Sequence, residues 1–163
     1  MSDLRPLQPG DAPAVLAFER ENRAWFAASI SDRGDEFFER FAEWYDELLA
    51  DQEAGGVAFY LLLGEDGSVL GRFNLYGISD GTAELGYRVA ERVAGRGVAT
   101  ETVRRLCELA ARRHGVRTLR AATSCANIAS QRVLIKTGFV ETGPAEPADL
   151  GGKQGSWYER ELP

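Results

Sequence analysis

Leu85-Gly86-Tyr87-Arg88-Val89-Ala90-Glu91-Arg92-Val93-Ala94-Gly95-Arg96-Gly97-Val98-Ala99-Thr100-Glu101 runs a β-branched, aromatic segment into a Gly-rich turn that opens directly into an amphipathic helix. Glycine lets the backbone adopt conformations a side chain forbids and brings it close to a ligand. The helix start then points unpaired N–H groups and a positive dipole end into the turn, an arrangement that favours phosphate. A strand, a Gly turn and a helix are common in α/β connections, so the meaning of this one depends on its surroundings.

Upstream, Asp3 to Leu7 reads as a first strand, broken by Gln8-Pro9-Gly10. Asp11 is placed to N-cap a helix reaching about Trp25, with Pro13 in its first turn. A polar break precedes a second helix over about Glu36 to Gln52. It carries Phe37, Phe41, Trp44 and Leu48 on one stripe and Phe38, Tyr45 and Leu49 on the next, the pattern of a core-facing helix. Val57–Leu63 and Val69–Leu75 read as a hairpin around Gly64 to Ser68, followed by the strand Thr82–Val89.

Downstream of the Gly turn, Val98–Arg113 has helical spacing and Gly115 closes it. Arg117–Thr123 is the next strand, Asn127 to Thr137 a short helix stopped by Gly138, Phe139–Glu141 a strand, and Ser156–Leu162 the last strand after a Gly/Pro-rich loop. This order predicts one α/β (α+β) domain over residues 1–163, a mixed sheet with helices on its faces.

The chain has 163 residues, 44% hydrophobic and 27% charged, the composition of an ordinary globular protein. A net charge of −6 argues against a nucleic-acid partner, and agrees loosely with a cationic substrate such as an amine. No apolar run is long enough to span a bilayer, so no membrane partner is expected. The first residues lack a signal-peptide pattern, which makes a cytoplasmic setting the default expectation. Cys107 and Cys125 read as free thiols, and with the single His114 they form no metal-ligand cluster, so no metal is expected.

Three fragments recur at fixed order: Glu84-Leu85-Gly86-Tyr87, then Gly95-Arg96-Gly97-Val98-Ala99-Thr100-Glu101, then Asn127-x-x-Ser130-x-Arg132-Val133-Leu134 ending in Gly138-Phe139. Together they resemble the GCN5-related N-acetyltransferase (GNAT) family, and within it the ribosomal-protein alanine N-acetyltransferase (RimJ/RimL-like) branch. The resemblance covers nearly the whole chain. It implies a mostly antiparallel central sheet with a splayed strand pair, and acetyl-CoA as cosubstrate. It also implies an amine acceptor, either a protein N-terminal α-amine or a small molecule, and a monomer or homodimer.

The family's phosphate motif, [Gln/Arg]-x-x-Gly-x-[Gly/Ala], fits in two registers: Arg92 with Gly95 and Gly97, or Ala94 with Gly97 and Ala99. The second keeps the expected spacing after Val89. Under it, the amides of Gly95, Arg96, Gly97, Val98, Ala99 and Thr100 hold the pyrophosphate, and Ala94 departs from the usual Gln or Arg. The resemblance further implies that the pantetheine arm pairs with backbone near Tyr87 to Ala90, Val89 included. An N–H there would polarise the thioester carbonyl. Asn127 would bind the same arm, and as a helix N-cap it has a structural role too.

Acetyl transfer needs a deprotonated amine, a polarised carbonyl and a stabilised departing thiolate. Where many members carry a proton-donating Tyr this chain has Leu134, so the resemblance shifts that role to Ser130. The base stays open: in the branch resembled, a late-loop carboxylate serves, with Asp149 the best match to the spacing and Glu146 second, whereas other branches use a strand-borne Glu, here Glu84. Glu84 stands one residue off the spacing used elsewhere in the family, and without a bulge it would face the wrong way. A second reading, a catalytically silent acyl-CoA-binding or sensing module, would keep the Gly turn and Asn127 and need no Ser130. A nucleotide-binding fold is disfavoured, since no Gly-x-x-x-x-Gly-Lys-[Ser/Thr] is present.

Overall fold

The computed structural model describes residues 2–163. Its seven strands form one sheet in the order β1-β2-β3-β4-β5-β7-β6. They are β1 (Asp3–Pro6), β2 (Ala58–Leu63), β3 (Val69–Ser79), β4 (Thr82–Val89), β5 (Thr118–Ser124), β6 (Val140–Ala145) and β7 (Gly155–Glu161). The helices are α1 (Ala12–Glu21), α2 (Arg23–Ala27), α3 (Asp35–Glu39), α4 (Phe41–Ala54), α5 (Val98–His114) and α6 (Ile128–Lys136). The sheet is mostly antiparallel with helices on both faces, as expected, and its one parallel pair is β4 with β5.

The chain divides into two compact units. The first comprises the residues up to Asn74 together with Tyr87–Val93. In it β1 pairs antiparallel with β2, from Asp3↔Leu63 to Pro6↔Tyr60. Every residue of β2 from Ala58 to Leu62 is buried, and so is β3 from Val69 to Leu75. Continuous burial along a strand means that both faces are covered. The core of this unit gathers Val15, Phe18, Phe26, Phe41, Tyr45, Phe59 and Leu61, with Phe37, Trp44, Leu48 and Leu49 packed against it. The aromatic stripe of the second predicted helix is therefore core.

Two long helices were expected here and each is broken. Asn22 interrupts the first: its Nδ2 donates to the Phe18 carbonyl at 2.9 Å, and its Oδ1 accepts the Glu91 N–H at 2.9 Å. A side chain that competes for backbone groups ends a helix locally. The second is broken at Arg40, whose backbone leaves the helical region at φ −108° and ψ 24°. Asp11 does not cap α1 with its side chain. Its carboxylate accepts two bonds from Arg5 at 2.8 and 2.7 Å and the Gln8 N–H at 2.8 Å, closing the 3-10 turn Pro9–Asp11.

The second unit comprises Leu75–Gly86 and Ala94–Pro163. Here burial alternates: Ala83 and Leu85 of β4 are buried while Thr82 and Glu84 are exposed. β5 pairs antiparallel with β7 along its full length, Thr118↔Glu161 to Ser124↔Gly155. β6 runs to Ala145, so the late loop is shorter than expected and holds a 3-10 turn, Pro147–Leu150. A Cβ on Gly155 would overlap the Thr123 carbonyl oxygen and Leu150 Cδ1, so only glycine fits where β7 begins.

Candidate active site

β4 pairs with β5 only from Thr82↔Thr118 to Glu84↔Arg120. The parallel ladder with β5 ends at Glu84, and the last residues of β4, Tyr87–Val89, belong to the first unit. Tyr87 stacks on Phe73 with ring centroids 5.4 Å apart and planes within 9°. The Val89 carbonyl accepts the indole N–H of Trp25 at 3.3 Å. Trp25 is an exposed aromatic that sequence reasoning passed over, because its spacing reads as the ragged end of a helix.

The Gly turn is left-handed at both glycines, with φ 73° at Gly95 and 78° at Gly97. Gly97 is the N-cap of α5 and no side chain caps this helix end. Intrahelical bonding begins with Glu101 N–H to Gly97 O at 3.0 Å. The amides of Val98, Ala99 and Thr100 thus open a helix of 17 residues whose N-terminus lacks a side-chain acceptor. The space where a Cβ would stand on Gly95 or Gly97 is open.

At the start of α6, Asn127 acts as N-cap, its Oδ1 accepting the Ser130 N–H at 3.2 Å. Ser130 is half-buried in the first turn, and Leu134, one turn on, is buried in the core. The last residue of β5, Ser124, has a buried hydroxyl with no partner among the described residues. An uncapped helix N-terminus behind a left-handed glycine, with this orphaned hydroxyl, fits a phosphate-bearing thioester with a hydrogen-bonding arm.

Of the carboxylates, Glu84 and Asp149 interact electrostatically, and Arg120 lies across from Glu84 in register. Although Glu84 as a residue is exposed, desolvation beside the sheet pushes its carboxyl above its ordinary value, Arg120 pulls it down, and the negative charge of Asp149 raises it further. Arg120 pairs with Glu159 at 3.1 Å, and its guanidinium covers the Trp157 ring at 4.3 Å. No register shift interrupts the Thr82–Glu84 ladder, so Glu84 lies on the strand face opposite Ala83 and Leu85. Glu146 stands exposed at the start of the 3-10 turn that carries Asp149.

Both cysteines are free thiols, Cys107 buried and Cys125 exposed. Among the described residues no three His, Cys, Asp or Glu side chains gather as metal ligands. Nor is any described helix long and apolar enough to cross a membrane.

Residues 3–140 match the acetyltransferase (GNAT) domain family. The chain belongs to that family. It is 30% identical over 151 residues to Probable N-acetyltransferase YjcK of Bacillus subtilis (strain 168), covering 87% of this chain and 82% of that one. Its fold is similar to the ribosomal-protein-S5-alanine acetyltransferase of Vibrio fischeri, with a TM-score of 0.89 at 18% identity over 99% of this chain and 93% of that one. It is also similar to the spermidine N-acetyltransferase of Vibrio cholerae, solved with CoA and spermine. There the TM-score is 0.79 at 18% identity, over 99% and 95% of the two chains. The GNAT chain described here is an acetyl-CoA-dependent N-acetyltransferase, and the silent binding module is not favoured.

Proposed function

We propose that this GNAT protein acetylates the α-amine of a peptide or protein N-terminus by direct attack, in one acetyltransferase domain working in the cytoplasm. When bound, acetyl-CoA supplies an activated acetyl thioester. The first-turn amides of α5, with Gly95, Arg96 and Gly97, hold its pyrophosphate through N–H donors and the helix dipole. The strand segment Tyr87–Val89 aligns the arm by main-chain pairing, and Asn127 contributes its amide N–H groups while Oδ1 caps α6.

A carboxylate takes the proton of the acceptor ammonium: Asp149 of the late loop, whose spacing matches this branch best, or Glu84 of β4, which would have to reach the cleft without the help of a bulge. The Glu84 carboxyl is raised above its ordinary value, which makes it a stronger base than a free glutamate. Asp149 acts on Glu84 as a like-charged neighbour, and Arg120 limits the rise. Ser130 holds the departing sulfur by hydrogen bonding from the first turn of α6.

The observation that carries this reading is the uncapped N-terminus of α5 behind left-handed Gly97. Thermal unfolding with CoA tests the binding step: at a hundredfold excess over Kd the complex gains about 2.7 kcal/mol, read as a rise in Tm. Mass spectrometry of defined peptides and small amines after incubation with acetyl-CoA tests the acceptor. Acetylated peptide N-termini support the reading, and exclusive modification of polyamines refutes it.

A further inference from the structure

Glu19 of α1 is buried, with a side chain only 1% exposed, and three arginines converge on its carboxylate. Arg33 Nε donates to Oε1 at 2.7 Å, Arg88 Nη1 to the same oxygen at 3.0 Å, and Arg72 Nη1 to Oε2 at 3.1 Å. The arginines pull the Glu19 pKa down against the opposing effect of burial, so the carboxylate is ionised. These four groups therefore sum to a charge of +2. All four residues belong to the first compact unit.

A brace for α1 would need one arginine. Bringing further guanidiniums out of water to meet one carboxylate carries a desolvation cost that geometry alone does not return. The rings around them fix the guanidinium planes: Arg33 over Phe37 at 4.6 Å and Trp44 at 5.2 Å, Arg88 over Phe26 at 4.6 Å, and Arg72 over Trp44 at 5.0 Å. Arg72 is sealed inside, with a side chain 4% exposed, whereas Arg33 and Arg88 keep 25% and 18% of theirs in contact with solvent. The two Nη groups of Arg33 donate to no acceptor among the described residues. A planar guanidinium held at Nε and stacked on rings, with both Nη groups left over, is arranged to take a carboxylate by two parallel bonds.

Arg88 lies in β4 between Tyr87 and Val89, the segment assigned above to the thioester arm. Given the acetyltransferase reading of this chain, on which the inference rests, we propose that Arg33 and Arg88, braced on Glu19, bind a carboxylate of the acceptor. The preferred acceptor is thus an amine that also carries a carboxylate, and a polyamine is repelled here despite the acidic body of the protein. The carboxylate comes either from an acidic side chain next to the N-terminal residue or from the α-carboxylate of a free amino acid.

Steady-state kinetics at saturating acetyl-CoA decide it. One arm compares the C-terminally amidated peptides Ala-Asp-Ala-Ala and Ala-Asn-Ala-Ala, a second compares free amino acids with their amides, and spermidine is the cationic control. The expected result is kcat/KM on the order of tenfold higher for the carboxylate member of one arm, carried by KM and shrinking as salt rises. Arg33→Gln brings the ratio to about one, and Arg33→Lys, which keeps the charge without the fork, restores part of it. Equal rates for the paired acceptors in wild type, preference for spermidine, or a ratio that survives both Arg33→Gln and Arg88→Gln overturns the proposal. So does Arg33→Gln that weakens CoA binding and leaves the ratio intact. Amines acetylated without regard to charge overturn this inference and leave the function standing. No transfer to any amine by a CoA-binding protein overturns both.

Discussion

Glu84 stands opposite Arg120 at the last paired position of the parallel β4–β5 ladder. The ladder ends at a carboxylate whose pKa is raised by desolvation and tuned by two charged neighbours of opposite sign.

If Glu84 is the base, kcat/KM falls on the acid side with an apparent pKa above the usual glutamate value, because the ionised form is the active one. Asp149→Asn removes a negative neighbour and moves that limb to lower pH. Arg120→Gln removes a positive one and moves it to higher pH. Glu84→Gln abolishes the limb and lowers kcat/KM by about 100-fold. A pH profile unaltered in all three variants excludes Glu84.

Ser130→Ala should lower kcat by about 100-fold with CoA affinity kept, since its hydroxyl is assigned to the departing sulfur and not to the phosphates. Asn127 still finds its capping partner in that variant, because the bond is to the backbone N–H of residue 130. Single-turnover rates beside CoA titration separate the two effects. Unchanged turnover removes Ser130 from the chemistry.

Gly97→Ala forces a side chain into φ 78° without any neighbour to clash with, so strain alone costs about 1–2 kcal/mol. Reorienting the first-turn amides of α5 should also weaken CoA. Gly97→Asn tolerates the left-handed conformation better and should lose less of both. Calorimetric CoA titration and thermal melts of the two variants give the comparison.

Glu19→Gln leaves Arg33, Arg72 and Arg88 facing one another without their shared anion, at an expected cost of about 3–5 kcal/mol in denaturant unfolding. The folded Glu19 pKa is depressed, so its contribution is complete above the unfolded value near about 4.3 and is lost as pH falls through the folded one. Wild type should therefore lose stability below that pH more steeply than Glu19→Gln does.

Gly155→Ala should destabilise by about 3 kcal/mol or prevent folding, because the added carbon meets the Thr123 backbone as well as a movable Leu150 side chain. Gly143→Ala, where the same carbon would find open space, is the control for a generic glycine effect in urea melts.

Local chemistry made much of this protein legible in its letters. β4 occupies the span read between its flanking turns, and α5 begins at the residue after the second turn glycine and is closed by Gly115, because glycines and periodicity act over a few residues. The start of α6 at Asn127 and the core stripe of Phe37, Phe41, Trp44 and Tyr45 were readable for the same reason. The helix breaks at Asn22 and Arg40 were not. Asn22 ends its helix in part by reaching the amide of Glu91, far along the chain.

Sequence alone determined where the Gly turn and the starts of α5 and α6 lie and, through motif order, the acetyltransferase family. Tertiary structure alone decided which charges meet: Arg33, Arg72 and Arg88 on Glu19, and Arg120 with Asp149 about Glu84. Hydrogen bonding and backbone preference are short-ranged along the chain, so letters encode them. Burial and Coulomb interaction depend on distance through space, which only the folded chain sets.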